Sequence, residues 1–189
     1  MRKYKFNMLV LILFLVACGS KEIESNMSQK VPEFDFTTQE NEKLGLKDLK
    51  GEWWIADFIF TKCTTVCLPM TANMSKLQDQ LKNEGLDVQI ISFTVDPAND
   101  SPGVLKKYAQ VYDADFSMWS FLTGYEFEEI KEFSENAFYS EVSRARDSDQ
   151  INHGVRFYLV NPDGEIIKYY DGIDMDEVKT IIDDLKKVL

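Results

Sequence analysis

Two cysteines, Cys63 and Cys67, stand four positions apart in the stretch FTKCTTVCLPMT, between an apolar run and a segment with helical periodicity. Four residues are about one helical turn, so on a helix both sulfurs share one face. A thiol at a helix N-terminus meets unpaired backbone N–H groups and the positive end of the dipole, which lower its pKa, and Lys62 beside Cys63 would act in the same sense. Thiolate is both the nucleophile and the metal ligand. On a helix, Cβ atoms four residues apart are about 5–6 Å from each other, whereas a disulfide prefers about 3.5–4.5 Å. A staple here would need local distortion and would close only a tiny loop, which stabilises little. The pair is suited to redox work or to holding a metal ion.

The elements that must present this pair follow from periodicity. FDFTT predicts a short strand, and LKDLKGEWWIADFIF contains a strand at Trp53–Phe60. Apolar residues at 70, 74, 77 and 81 form a helical stripe that ends at Gly85. LDVQIISFTVDP reads as a strand closed by Asp96-Pro97. SPGVLKKYAQVYDA reads as a helix with Ser101 as N-cap and Pro102 at its first position. FSMWSFLTG is extended. EFEEIKEFSENAFY is amphipathic, with Phe127, Ile130, Phe133 and Phe138 inward. EVSRARDSDQIN is a polar loop, HGVRFYLVNPDGEIIKYYDG a hairpin on Pro162-Asp163-Gly164, and MDEVKTIIDDLKKVL a closing helix. Strands alternating with helices predict an α/β fold, a central mixed sheet flanked by helices, with extra N-terminal strands and a late β-hairpin.

Bulk properties restrict the function. The 189 residues fit one domain with a short appendage, and 44% hydrophobic with 28% charged residues is the profile of a packed core with a solvated surface. A net charge of -11 argues against nucleic acid and anionic lipid as electrostatic partners. The N-terminus carries Arg2, Lys3 and Lys5, then an apolar stretch from Met8 to Ala17 that is too short to span a bilayer. It ends in LVACGS, which resembles the lipobox of bacterial lipoproteins, and that resemblance makes Cys18 the lipidated first residue of the mature chain. The expected organisation is a lipoprotein signal peptide at 1–17, a lipid-anchored flexible tether at 18–31 and a single domain at 32–189. Loss of residues 1–17 would take the charge from -11 to -14. Localisation would be the cell membrane, facing the extracytoplasmic side, where no glutathione pool keeps thiols reduced.

The order of elements over residues 32–189 resembles the thioredoxin fold, in which a cysteine pair opens the first helix after a central strand. In that fold the loop entering the strand at Val155–Val160 faces the pair. Thioredoxins place a cis-proline there; this chain has His153, its single histidine, followed by Gly154. Two thiolates and an imidazole make a set suited to copper. Asp57, six residues before Cys63 within the apolar run, matches the buried aspartate that assists proton transfer in thioredoxins; otherwise it is a strand-end residue facing solvent or a helix. Asp96 either orients His153 or serves the turn with Pro97. Met70 and Met74 read as core, and Phe58, Phe60 and Trp54 as the floor beneath the site.

Three blocks in order, FIFTKCTTVCLPMT, TVDPANDSPGVLKKY and HGVRFYLVNPDG, resemble the Sco (SenC/PrrC) family. Its members are membrane-tethered thioredoxin-fold proteins that bind copper and help to assemble the copper A centre of cytochrome c oxidase. The resemblance implies copper as cargo, Cys63, Cys67 and His153 as its ligands, and oxidase subunit II as partner, with a copper donor or thiol reductant upstream. The chain departs from the pattern at Leu68, which precedes Pro69, and at Gly154, where the family often has Thr or Ser. The competing reading is a thiol–disulfide oxidoreductase that reduces the subunit II cysteines, with attack by Cys63 and resolution by Cys67. A thiol peroxidase fits poorly, because Phe60 stands where that motif needs threonine. A pure scaffold would leave two thiols unexplained.

Overall fold

The computed structural model describes residues 22–146 and 148–189. In chain order their elements are β1 (Gln29–Lys30), β2 (Asp35–Thr38), β3 (Lys43–Gly45), β4 (Trp54–Ile59), α1 (Cys67–Glu84), β5 (Gln89–Thr94), α2 (Pro102–Val111), β6 (Trp119–Thr123), α3 (Phe127–Phe138), β7 (Ser143–Arg144), β8 (Ile151–Asn152), β9 (Arg156–Val160), β10 (Glu165–Asp171) and α4 (Asp176–Leu185). Eight strands form one mixed sheet in the order β1-β10-β9-β4-β5-β6-β2-β3. β4, β5 and β6 run parallel, joined by crossovers through α1 and α2, and β9 lies antiparallel to β4. This is a thioredoxin-like fold, an α/β sandwich with added N-terminal strands and the expected β9–β10 hairpin.

β4 is buried along its whole length, which is what a central strand covered on both faces requires. Its side chains alternate between two cores. Trp54, Ala56 and Phe58 join the core under α3, where Phe58 stacks on Phe93 and meets Phe138 edge-on. Ile55 and Ile59 join the core under α1, α2 and α4. The α1 stripe, Met70, Met74, Leu77 and Leu81, is fully buried there. α1 stops where periodicity places its end: Gly85 takes φ 66° and its N–H returns to Leu81 and Lys82 carbonyls. α2 begins at Pro102 behind Ser101, whose extended backbone makes it the N-cap although its hydroxyl makes no cap bond. On α3, Ile130, Phe133 and Phe138 are buried and Phe127 packs against the same core from its edge.

Two stretches differ from expectation. The tether expected to run to residue 31 instead joins the sheet over its last residues. β1 pairs with β10 through Gln29 and Lys30, and the Asn26 side chain extends the ladder, donating to the Tyr169 carbonyl at 3.0 Å and accepting its N–H at 2.9 Å. Val31 is buried, so the domain starts upstream of Pro32. A side-chain amide imitating a strand leaves no alternating pattern to read. The polar loop 141–152 likewise contains an antiparallel ribbon, β7 with β8, that leads directly into His153. The expected signal peptide and the expected lipidation site, Cys18, lie outside the described residues. No helix among the described residues is long and apolar enough to cross a membrane.

Candidate metal centre

The chain leaves β4 at Ile59 and reaches Cys63 through a turn, so Cys63 precedes α1 and only Cys67 lies in the helix, at its first position. The expectation that both thiols sit on one helical face is thereby corrected. Contacts from distant loops hold residues 61–64 out of the helix. The fully buried Asp100 accepts the Thr61 N–H at 3.1 Å and the Thr61 hydroxyl at 2.5 Å. Gln150 donates to the Lys62 carbonyl at 3.1 Å and accepts the Thr64 N–H at 3.4 Å. Neither residue stood out in the sequence; the carboxylate of Asp100, four residues after Asp96, was the one available signal. Alanine at Asp100 would leave the buried Thr94 hydroxyl and the half-buried Thr61 donors without an acceptor, and is expected to lower stability by about 1.5–3 kcal/mol, the range for hydrogen bonds to charged groups. Urea unfolding measures this.

The turn brings the Cys63 sulfur to the start of α1, where it accepts the Cys67 N–H at 3.3 Å. The Cys67 thiol, the His153 ring and the Thr65 and Cys67 backbone then hold the Cys63 pKa well below the usual thiol range, against the opposing effect of partial burial. Cys67 moves the other way, because its proton serves the Cys63 sulfur and because it is more deeply buried. Cys63 is therefore the thiolate and Cys67 the proton carrier. Lys62 directs its ammonium to the Asn99 side chain at 3.1 Å, away from the role the sequence suggested.

The third member arrives from the other side. The β7–β8 ribbon and the start of β9 deliver His153, whose Nε2 lies 3.2 Å from the Cys67 sulfur. Its Nδ1 lies 2.9 Å from the Gly154 carbonyl, an acceptor only, so Nδ1 carries a proton, and in the neutral ring Nε2 is left with its lone pair toward the thiols. Phe60 supports the ring edge-on, with centroids 5.7 Å apart. The donor atoms of Cys63, Cys67 and His153 all lie within 4.8 Å of one another. Both cysteines are free thiols and largely buried. Two soft sulfurs and an imidazole nitrogen, converging without a hard oxygen, match a thiophilic ion such as copper(I).

Asp57 is completely buried, on the β4 face shared with Ile55 and Ile59 and covered by α1. Neither carboxyl oxygen has a hydrogen-bond partner of good geometry. Burial pushes its pKa up to about 7; the Ser92 hydroxyl on the adjoining strand and the charge of His153 only moderate the rise. The carboxyl thus lies within electrostatic reach of the site, and the solvent-facing alternative is excluded. Asp96 does not meet His153. Its carboxylate accepts both bonds from the Asn99 amide, at 2.9 and 3.0 Å, so its hydrogen bonds serve the turn after β5.

The comparisons with known proteins agree with this geometry. The SCO1/SenC family model matches residues 23–189. The SCO1 protein homolog of Bacillus subtilis (strain 168) is 47% identical over 177 residues, 94% of this chain and 92% of its own. The crystal structure of a SCO1/SenC family lipoprotein from Bacillus anthracis superposes with a TM-score of 0.82 at 46% identity, over 85% of this chain and 95% of that one. BsSco, a member of the Sco family of cytochrome c oxidase assembly proteins in which a disulfide switch has been identified, gives 0.79 at 47% identity over 87% and 95%. Yeast Sco1 with copper bound gives 0.68 at 25% identity over 85% and 91%. With the match running from residue 23 to the last residue, this chain belongs to the SCO1/SenC family.

Proposed function

We propose that this protein carries one copper ion for the assembly of cytochrome c oxidase, anchored to the outer face of the cell membrane through lipid on Cys18. The observation that carries the reading is the convergence of two sulfurs and one imidazole nitrogen within 4.8 Å. Copper-bound yeast Sco1 and the oxidase-assembly role of BsSco support the choice of metal and pathway. The lipoprotein relative from Bacillus anthracis supports the anchor. Cys63 and Cys67 would hold the ion as thiolates and His153 through Nε2. The acceptor would be the cysteines of oxidase subunit II, and tethering carrier and acceptor in one membrane raises their effective concentration. Oxidation of the pair to a disulfide would remove both sulfur ligands and switch capture off. Asp57 would take up the proton that leaves Cys67 when the ion arrives.

The test adds copper(II) to reduced residues 19–189 and records the thiolate-to-copper charge-transfer absorption. Wild type is expected to develop an intense band. His153→Ala is expected to shift that band and weaken binding, and a variant with serine at 63 and 67 to lose it. Copper affinity equal in wild type and the double serine variant would end the carrier reading.

A specific observation also favours thiol chemistry at the same pair: the Cys63 sulfur accepts the Cys67 N–H at the start of α1, which favours its thiolate, while the Cys67 pKa is pushed up, the order of an attacking and a resolving thiol. Reduction of an oxidised subunit II peptide by metal-free protein at equal rate in wild type and Cys63→Ser would exclude this second reading.

A further inference from the structure

His153 reaches the cysteines from a narrow ribbon, so its aim depends on what holds residues 153 and 154. The contact comes from the end of α3. Ser140 is buried, and its hydroxyl accepts the Gly154 N–H at 3.1 Å. Ser140 is itself clamped by the fully buried Ser134: the Ser140 N–H donates to the Ser134 carbonyl at 3.2 Å, and the Ser134 hydroxyl donates to the Ser140 carbonyl at 2.8 Å. The turn between them places Tyr139 at φ 50°, a left-handed conformation unusual for a bulky residue.

The fit at Gly154 is steric as well as polar. A Cβ there would stand 2.3 Å from the Ser140 Oγ and 3.3 Å from the Ser140 Cβ. Gly154 is not among the glycines with positive φ, so close approach to Ser140, not backbone conformation, is what demands glycine. The same Gly154 then offers its carbonyl to His153 Nδ1 at 2.9 Å. A continuous run of contacts therefore joins the end of α3 to the imidazole: Ser134 to Ser140, Ser140 to Gly154, Gly154 to His153.

We propose that the C-terminal turn of α3 positions the third metal ligand: Ser140 seats Gly154, and the Gly154 carbonyl sets the tautomer and direction of His153 so that Nε2 faces the thiols. Ser140 and Gly154 are positioning residues, and neither touches the ion. The inference rests on the reading of His153 as a ligand, and it gives Gly154 a physical reason in this chain: the space a side chain would fill is occupied by Ser140.

The first readout needs no metal. The chain has a single histidine, so its two ring nitrogens give unambiguous ¹⁵N resonances in reduced, metal-free protein. At alkaline pH, wild type is expected to show the Nδ1–H tautomer, and Ser140→Ala a mixture. The second readout is copper affinity by competition with a chromophoric chelator. Ser140→Ala and Gly154→Ala are each expected to weaken binding by about 10–100-fold, the range for groups that orient a ligand. In a His153→Ala background, Ser140→Ala should change affinity by less than about 2-fold, since an effect routed through an absent side chain disappears. Gly154→Ala should do no further harm once Ser140→Gly has cleared the space. An unchanged tautomer in Ser140→Ala overturns the proposal, and so does an equal loss of affinity with and without His153, because the effect would then be general unfolding. If His153→Ala binds copper as well as wild type, the ligand reading fails, while the tautomer measurement still decides whether Ser140 positions the ring.

Discussion

Serine in place of Cys67 is expected to weaken copper capture by more than about 100-fold, beyond the range for residues that merely orient a ligand. Three effects act together. One of two sulfur donors disappears, and the remaining Cys63 and His153 are too few for a closed soft-metal site. The shorter C–O bond draws a serine hydroxyl back from the Cys63 sulfur, so the contact that does most to depress the Cys63 pKa is lengthened and weakened. The position is also nearly inaccessible, so water cannot readily take over as a ligand. Competition against a copper(I) chelator measures the affinity, and the pH dependence of maleimide labelling measures the Cys63 pKa. Labelling of Cys63 is expected to need a higher pH in the variant than in the wild type. An affinity within a few-fold of wild type would mean that Cys67 is not a ligand.

Asparagine in place of Asp57 is expected to make the metal-free, reduced protein more stable above pH 7, by as much as about 4 kcal/mol. The folded-state pKa is raised from 3.8 to about 7 by complete burial. Between those values the folded protein binds more protons at this site than the unfolded chain, so stability falls as pH rises, and the full cost is reached above pH 7. The gap between the two values, at about 1.4 kcal/mol per pH unit, sets the upper size of the effect. At pH 4 the carboxyl is neutral in the folded state, and the two proteins should be nearly equal. The depressed Cys63 thiol tilts stability in the opposite sense, but it does so in both proteins, so the difference between them isolates Asp57. Urea unfolding at pH 5 and pH 8 provides the comparison. Lower stability of Asp57→Asn at pH 8 would mean that the carboxylate has a partner that offsets its burial. A buried, unpartnered acid beside reactive thiols is the kind of local cost that proteins retain at working sites.

Most of the scaffold was legible because it follows local rules. The stripe at 70, 74, 77 and 81 is buried as a helix face, Gly85 ends that helix, and the apolar run at 54–59 is the covered central strand. The hairpin followed from Pro162-Asp163-Gly164, where Gly164 takes φ 74°. Each of these depends on residues close in the chain. The donor types of the site were equally plain, since a chain with one histidine and a close cysteine pair offers few soft-metal sets.

What local patterns could not convey was set by groups brought together from far apart. Spacing alone put Cys63 on the helix; Asp100 and Gln150, 37 and 87 positions downstream, hold the preceding turn open instead. Asp96 and Asp57 were both plausible neighbours of the site. Strand alternation and burial placed Asp57 under α1, while the Asn99 amide took the Asp96 carboxylate. The segment ending at Val31 carries no readable strand pattern because its ladder with β10 is only two residues long and is extended by the Asn26 side chain. Residue types and short-range periodicity therefore determined which chemistry this chain can carry and which helices and strands frame it. The meeting of His153 with the cysteines, 86 positions from Cys67, was decided only when β9 paired with β4 and the end of α3 took hold of Gly154. Sequence pattern specifies the donors and the elements, but donor-to-donor distance is a property of the sheet register and of long-range hydrogen bonds.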